Sequence, residues 1–205
     1  MPVTTAIIPR LIAAVADAIE KNAVELTELD QAIGDGDHVS NLQRGLQALA
    51  AQSEALGQLD WQAALQKMGM TIMSSIGGAS GSLYGTLFIA LSKNLQNQPV
   101  TKVTLAEAFS KAVDAVKQRG KADKGEKTML DVLIPVAERF YQDNDKPDIF
   151  AQLKKTAEEG AESTRDMVAT KGRASFLGER SKGHIDAGAK SSQLMLCTII
   201  DELSA

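Results

Sequence analysis

The chain has 205 residues, 44% apolar and 23% charged, with a formal net charge of −4. That length suits one domain with a sizeable core, residues 1–205. The acidic balance and an aromatic content of 4% argue against a phosphate-backbone partner or a base-stacking platform, so no nucleic acid is expected. No apolar stretch is long enough to span a bilayer and no signal-peptide pattern opens the chain, so the cytoplasm is the expected compartment.

Helical spacing dominates from end to end. Residues 4–28 read as a long amphipathic helix with Ile7, Leu11, Ala14, Val15, Ala18 and Ile19 on one side. An acidic turn follows. Leu42, Leu46 and Leu49 then mark a helix over 39–55, which Gly57 ends. Asp60 caps the next, which runs from Trp61 to Ile76. The small-residue stretch Gly77 to Gly81 interrupts, and an apolar helix continues from Leu83 to Leu95. Thr104 caps a helix from Leu105 to about Arg119. Residues 120–127 form a polar connection, and a helix from Met129 to Tyr141 carries a kink at Pro135. A turn with Pro147 leads to a helix from Ile149 to about Thr170. Residues 171–188 form a long polar loop of the kind that is functional or disordered. The last helix, Ala189 to Leu203, contains the single cysteine, Cys197, in an apolar run that makes it a buried thiol. No β pattern is present, and the expectation is an all-α bundle of about eight helices.

Four segments carry chemistry. The first holds Asp30, Asp35 and Asp37, with Gly34 and Gly36 between them. Three carboxylates this close repel one another unless a cation sits among them. An EF-hand is excluded: counting from Asp35 puts Val39 at position 5 and Leu46 at position 12, and counting from Asp30 puts Ala32 at position 3. Mg2+, held by a few carboxylates together with substrate phosphates, is the better match. The second is Ser74 to Ser82, whose glycines at 77, 78 and 81 suit a nest of backbone N–H groups at a helix start. It is neither a Walker A loop nor a dinucleotide fingerprint. The same stretch read plainly is a bend where two helices approach closely. The third is the 171–188 loop, with Lys171, Arg173, Arg180 and Lys182 for phosphate oxygens and Phe176 and Leu177 as an apolar anchor. The fourth is Arg119 to Asp131, where Gly120 ends one helix, Thr128 caps the next and Met129 offers an apolar wall to a base. His38 and His184 each stand near an Asp and read as structural. Carboxylates for Mg2+, an amide nest and basic side chains together are what a Mg-nucleotide requires.

These four segments, in this order and over nearly the whole chain, make the sequence resemble the nucleotide-binding (L) subunit of dihydroxyacetone kinase. The matching residues include Asp30, Gly34 to His38 and Asn41; Ser74 to Gly81; Arg119 to Lys121 and Lys127 to Met129 with Asp131; and Lys171 to Ser175, Leu177 to Ser181, Gly183, His184 and Asp186. The resemblance implies an eight-helix antiparallel barrel with the nucleotide at one end. It implies two Mg2+ ions on Asp30, Asp35 and Asp37. Nucleotide contacts fall to His38, Val39, Ser40, Asn41, Gly78, Ala79, Ser80, Gly120, Thr128, Met129, Arg173, Asp186, Ala187 and Gly188. Ala187 departs from the proline usual at that place, which leaves the turn less rigid. The family's L domain does not bind the ketone, which a K subunit or domain holds on a histidine; 205 residues leave no room for it here. In the phosphoenolpyruvate-driven system bound ADP is rephosphorylated by a phosphohistidine on an M subunit. No catalytic base is implied in this chain, and Arg173 is the residue expected to neutralise phosphoryl charge. Other readings stay open at this level: an ATP-dependent L domain with exchangeable nucleotide, a nucleotide-sensing partner of a transcription regulator, a Mg2+-dependent phosphatase, and a homodimeric form.

Overall fold

In the computed structural model, which describes residues 4–204, the chain folds into ten α-helices, with no strand among the described residues. They are α1 (Ile8–Lys21), α2 (Ala23–Ile33), α3 (His38–Ala50), α4 (Ser53–Leu56), α5 (Trp61–Ser75), α6 (Gly78–Asn94), α7 (Lys102–Gly120), α8 (Leu130–Asp143), α9 (Ile149–Ser163) and α10 (Ala187–Ser204). Helices α1, α3, α5, α6, α7, α8, α9 and α10 each pack against the next, and α10 closes the ring on α1. Each turns an apolar stripe inward, so one core runs through the ring: Ile12 and Ile19 from α1, Leu42 from α3, Ile72 from α5, Val116 from α7, Leu133 from α8 and Ala157 from α9. The starts of α3, α6, α8 and α10 meet at one end, so neighbours in the ring alternate in direction. The all-α barrel expected from the resemblance is therefore the architecture found. No helix among the described residues is long and apolar enough to cross a membrane.

The boundaries differ from the sequence reading where local signals compete. The 4–28 helix is divided at Asn22, whose side chain donates to the Ala18 carbonyl, and the chain continues as α2 through Asp30. The buried stripe of α1 is Ile8, Ile12, Val15 and Ile19, so the core face is rotated away from Ile7 and Leu11. The 39–55 helix breaks after α3 and resumes as the single turn α4. Asp60 does cap α5, accepting from the Ala63 N–H at 2.7 Å. Helix α7 begins earlier than expected: Thr101 is the cap, and Thr104 is its partner in a reciprocal capping box. Helix α9 ends at Ser163, and a 3-10 turn at Thr164–Asp166 follows it in place of a continuation to Thr170. Helix α8 runs through Pro135.

The α5–α6 break is confined to Ile76 and Gly77, so Gly78 to Gly81 form the first turn of α6 rather than a loop. Gly81 is the reason this turn closes so tightly: a Cβ there would overlap the Ile76 carbonyl, a backbone atom that cannot swing aside. Gly81→Ala is expected to cost about 2–3 kcal/mol, the upper part of the usual range for overpacking. At this chain length that lowers Tm by roughly 4–12 °C, read by calorimetric melting.

Candidate functional site

The end where α3, α6, α8 and α10 begin collects four helix N-termini, each leaving N–H groups without helical partners and a partial positive charge. A buried polar chain locks three of them together. His38 at the start of α3 places Nε2 2.9 Å from Ser191 Oγ of α10 and Nδ1 3.4 Å from Ser80 Oγ of α6. Tyr84 of α6 extends it, its hydroxyl 3.2 Å from Ser191 Oγ and 2.8 Å from Ser192 Oγ. The His38 ring is thus spent on the scaffold, and burial lowers its pKa against the opposing pull of Asp30 and Asp37. That agrees with the structural role read from the sequence.

The acidic turn joins α2 to α3 at this end. Asp30 lies in the last turn of α2; its Oδ2 accepts the His38 N–H at 3.0 Å, and its carbonyl accepts the Gly34 N–H at 2.6 Å. A Cβ on Gly34 would fall on the Asp30 carboxylate, and Gly36 turns through φ +76°, so both glycines are needed to fold the acids inward. One carboxylate oxygen from each of Asp30, Asp35 and Asp37 lies within 4.8 Å of the other two. Oxygens sharing one Mg2+ at about 2.1 Å sit roughly 3–4 Å apart, so small side-chain shifts bring this trio into range. The donor set, hard oxygens on a Gly-rich turn facing a rim of helix N-termini, fits a divalent cation that also holds an anion.

Across from the acids, α6 starts without any side-chain cap. Gly78, at φ +65°, has open space where a Cβ would stand, so the first-turn N–H groups of Gly78, Ala79 and Ser80 are free to meet an anion. Arg119 at the end of α7 donates Nε to Ser82 Oγ at 2.6 Å, fastening α7 to this turn. Gly120 lies against Leu83, and the buried Met129 lies against Gly188, giving the rim an apolar side. Thr128 accepts the Leu130 N–H at 3.1 Å and so helps start α8, as expected.

The other expected contacts are spread unevenly. Val39 is buried in the core and Asn41 is 6% exposed, its Oδ1 taken by Arg44 at 3.1 Å, so any ligand contact there is by backbone or amide edge. Ser40 is exposed and donates to the Asp37 carbonyl. Ala187 is buried and Gly188 partly so, at the first turn of α10.

The loop between α9 and α10 brings one cation to the acids. Arg173 pairs with Asp35 at 2.9 Å. The other three do not converge: Lys171 faces Glu126 at 3.9 Å, Lys182 pairs with Glu179 at 2.8 Å, and Arg180 is exposed. The loop is anchored by Leu177, Ala174 and Ala169 against Ile33 at the end of α2. Phe176, expected to share that role, points outward at 87% exposure, because the 3-10 geometry of Arg173–Ser181 turns adjacent side chains to different sides. Sequence reading placed Lys127 in a family-matching segment but gave it no role. It looks like part of a polar connection, yet it is 1% exposed and donates Nζ to the Thr164 and His184 carbonyls, both at 2.5 Å.

Asp186 caps α10, accepting the Ala189 N–H at 2.8 Å. Burial pushes its carboxyl up to about 6, with the Ala189 N–H and Lys127 pulling it back and Asp131 and Asp30 adding to the rise. A raised folded-state pKa means the folded protein binds this proton more tightly than the unfolded chain. Its contribution is therefore full below about pH 4 and lost as pH rises through about 6. Denaturant titrations of metal-free protein at several pH values should show this fall, and Asp186→Asn, which keeps an acceptor for Ala189, should flatten it.

Residues 32–201 match the family model described as the DAK2 domain. The chain belongs to the DAK2 domain family. It is 42% identical over 185 residues to the ADP-binding subunit DhaL of the PEP-dependent dihydroxyacetone kinase of Escherichia coli strain K12, covering 88% of each chain. It is 40% identical over 179 residues to the DhaL subunit of PEP-dependent dihydroxyacetone kinase 1 of Listeria innocua, covering 87% of each. In shape this DAK2 domain superposes on the crystal structure of the dihydroxyacetone kinase of C. freundii in complex with AMP-PNP and Mg2+, with TM-score 0.77 and 22% identity. That match covers 98% of this chain and spans about a third of that kinase (34%); at this identity it establishes the fold alone.

Proposed function

We propose that this DAK2 domain is the ADP-binding subunit of a phosphoenolpyruvate-dependent dihydroxyacetone kinase, working in the cytoplasm with a K subunit and a phosphohistidine-bearing M subunit. One observation carries the reading: three carboxylates gathered within 4.8 Å, with Arg173 on one of them, share a rim with the uncapped start of α6. The relatives named as ADP-binding subunits support it.

In this reading Asp30, Asp35 and Asp37 hold two Mg2+ ions. When bound, Mg2+ supplies charge neutralisation at the phosphate oxygens. The N–H groups of Gly78, Ala79 and Ser80 take the phosphate end, with the backbone of His38 to Asn41 completing that side. Gly120, Thr128 and Met129 flank the rest of the nucleotide, and Asp186 to Gly188 close the floor. Arg173 leaves Asp35 to meet negative charge on the phosphoryl group in transfer. Among the described residues no side chain at this rim is placed as a base for a sugar hydroxyl, so in this reading the domain positions and neutralises while the K subunit holds dihydroxyacetone. The net reaction moves a phosphoryl group from the M-subunit histidine, by way of the nucleotide, to dihydroxyacetone. Phe176, exposed on the same loop as Arg173, is an apolar group available to meet a partner.

Reconstitution tests the proposal. The chain is mixed with K and M subunits, and dihydroxyacetone phosphate is followed with phosphoenolpyruvate and the general phosphotransferase proteins as the phosphoryl source. Product formation that needs all three subunits and only catalytic amounts of ADP is expected. Absence of product with competent K and M subunits contradicts it.

A further inference from the structure

Lys127 is a charged residue that the proposed chemistry does not use, in an unusual setting. Its backbone is left-handed, at φ +61°, where a non-glycine residue is strained. Its side chain is 1% exposed. Nζ donates to the carbonyls of Thr164 and His184 at 2.5 Å each, and to that of Arg165 at 3.4 Å. Thr164 and Arg165 lie where α9 has just ended, so their carbonyls are the negative end of a helix. His184 is at the other foot of the same loop. The feet are further joined by Gly183 N–H to Arg165 carbonyl at 2.8 Å and by Asp186 N–H to Thr164 Oγ1 at 3.0 Å. Among the described residues, Lys127 is a side chain from outside the loop that bonds both feet.

The strained backbone is itself held from below. Asp131 accepts the Gly125 N–H at 2.5 Å and the Thr128 N–H at 2.8 Å, fixing the residues on both sides of Lys127. Glu126 adds a second tie, accepting from Thr170 Oγ1 at 3.2 Å. Burial lowers the Lys127 pKa, while Asp186, Asp166 and Asp131 favour its charge and Arg165 opposes it.

We infer that Lys127 is a positioning residue: it clamps both feet of the 165–184 loop to the connection carrying Met129, and so sets where Arg173 stands over the acidic turn. The inference rests on the proposed kinase reading. Without this clamp the feet keep their bonds to each other, but the loop is held to the rest of the fold by its Ile33 anchor, the Arg173–Asp35 pair and the Glu126 contacts with Thr170 and Lys171. Arg173 then samples a wider arc, and misplacement of about 1 Å is enough to cost on the order of 100-fold in rate.

Lys127→Met and Lys127→Gln are compared with the parent chain in three measurements: hydrogen exchange of amides 166–183, ADP affinity with Mg2+, and turnover in the reconstituted system. For Lys127→Met we expect loop exchange at least about tenfold faster. We expect turnover down about 100-fold, with ADP affinity and the half-saturating K-subunit concentration within about threefold of the parent. Lys127→Gln, which keeps two donors, should recover part of both losses. A merely structural residue would lower Tm without this split. Unchanged loop exchange, or ADP affinity falling in step with turnover, overturns the inference. If Lys127→Met yields no helical protein, Lys127→Gln decides in its place; loss of the helical spectrum in both overturns the inference by assigning Lys127 to the barrel. If the parent chain itself transfers nothing, the kinase reading fails, and loop exchange in the variants still decides whether Lys127 clamps the loop.

Discussion

Asp37→Asn, and more strongly Asp35→Asn with Asp37→Asn, should strip the domain of Mg2+ and ADP together while leaving the apo barrel at least as stable. The two acids are exposed and sit with Asp30 in a cluster whose oxygens lie within 4.8 Å of one another. In the absence of a cation they repel, so removing charge relieves the folded state. With a cation present they are the ligands, and each carboxylate lost is expected to weaken metal-dependent ADP binding by about 30- to 1000-fold, or roughly 2–4 kcal/mol. Calorimetric titration and melting of the same samples read both sides. Binding that survives the double substitution contradicts the metal site, and a large fall in apo Tm means the acids are structural.

Arg173→Ala should lower the phosphoryl-transfer rate by about 100- to 1000-fold, in line with the loss of a guanidinium that meets charge developing in transfer. Its side chain is 72% exposed, so its pair with Asp35 is solvent-screened and contributes little to the fold. Tm should therefore move little. Arg173→Lys should restore only part of the rate, because an ammonium cannot offer two parallel donors. Rate assays on the reconstituted system beside melting curves check both points. A rate unchanged by Arg173→Ala removes that residue from the mechanism.

How much of this was legible in the sequence depends on the range of the signal. The acids were readable because Asp30, at the end of α2, and Asp35 and Asp37, in the turn that follows, are close in sequence, and the glycines between them fold them together. The end of α7 at Gly120 and the start of α8 beside Thr128 were readable because local helix-end signals mark them. The first turn of α6 was taken for a loop because glycines normally break helices, whereas here Gly81 is required by the passing Ile76 carbonyl, a constraint only packing reveals. The Lys171, Arg180 and Lys182 charges looked like a shared clamp, yet in space only Arg173 reaches the acids; composition carries charge but not direction. Lys127 and the Tyr84, Ser191 and Ser192 chain left no local trace, since their partners lie 37 to 108 residues away.

The most direct test of the cation-centred site is ADP titration of the nucleotide-free, chelator-stripped chain by calorimetry, with and without Mg2+. ADP should bind one site per chain with Mg2+ and lose at least about 100-fold in affinity without it. Equal affinity in both conditions, or no heat in either, would contradict the account.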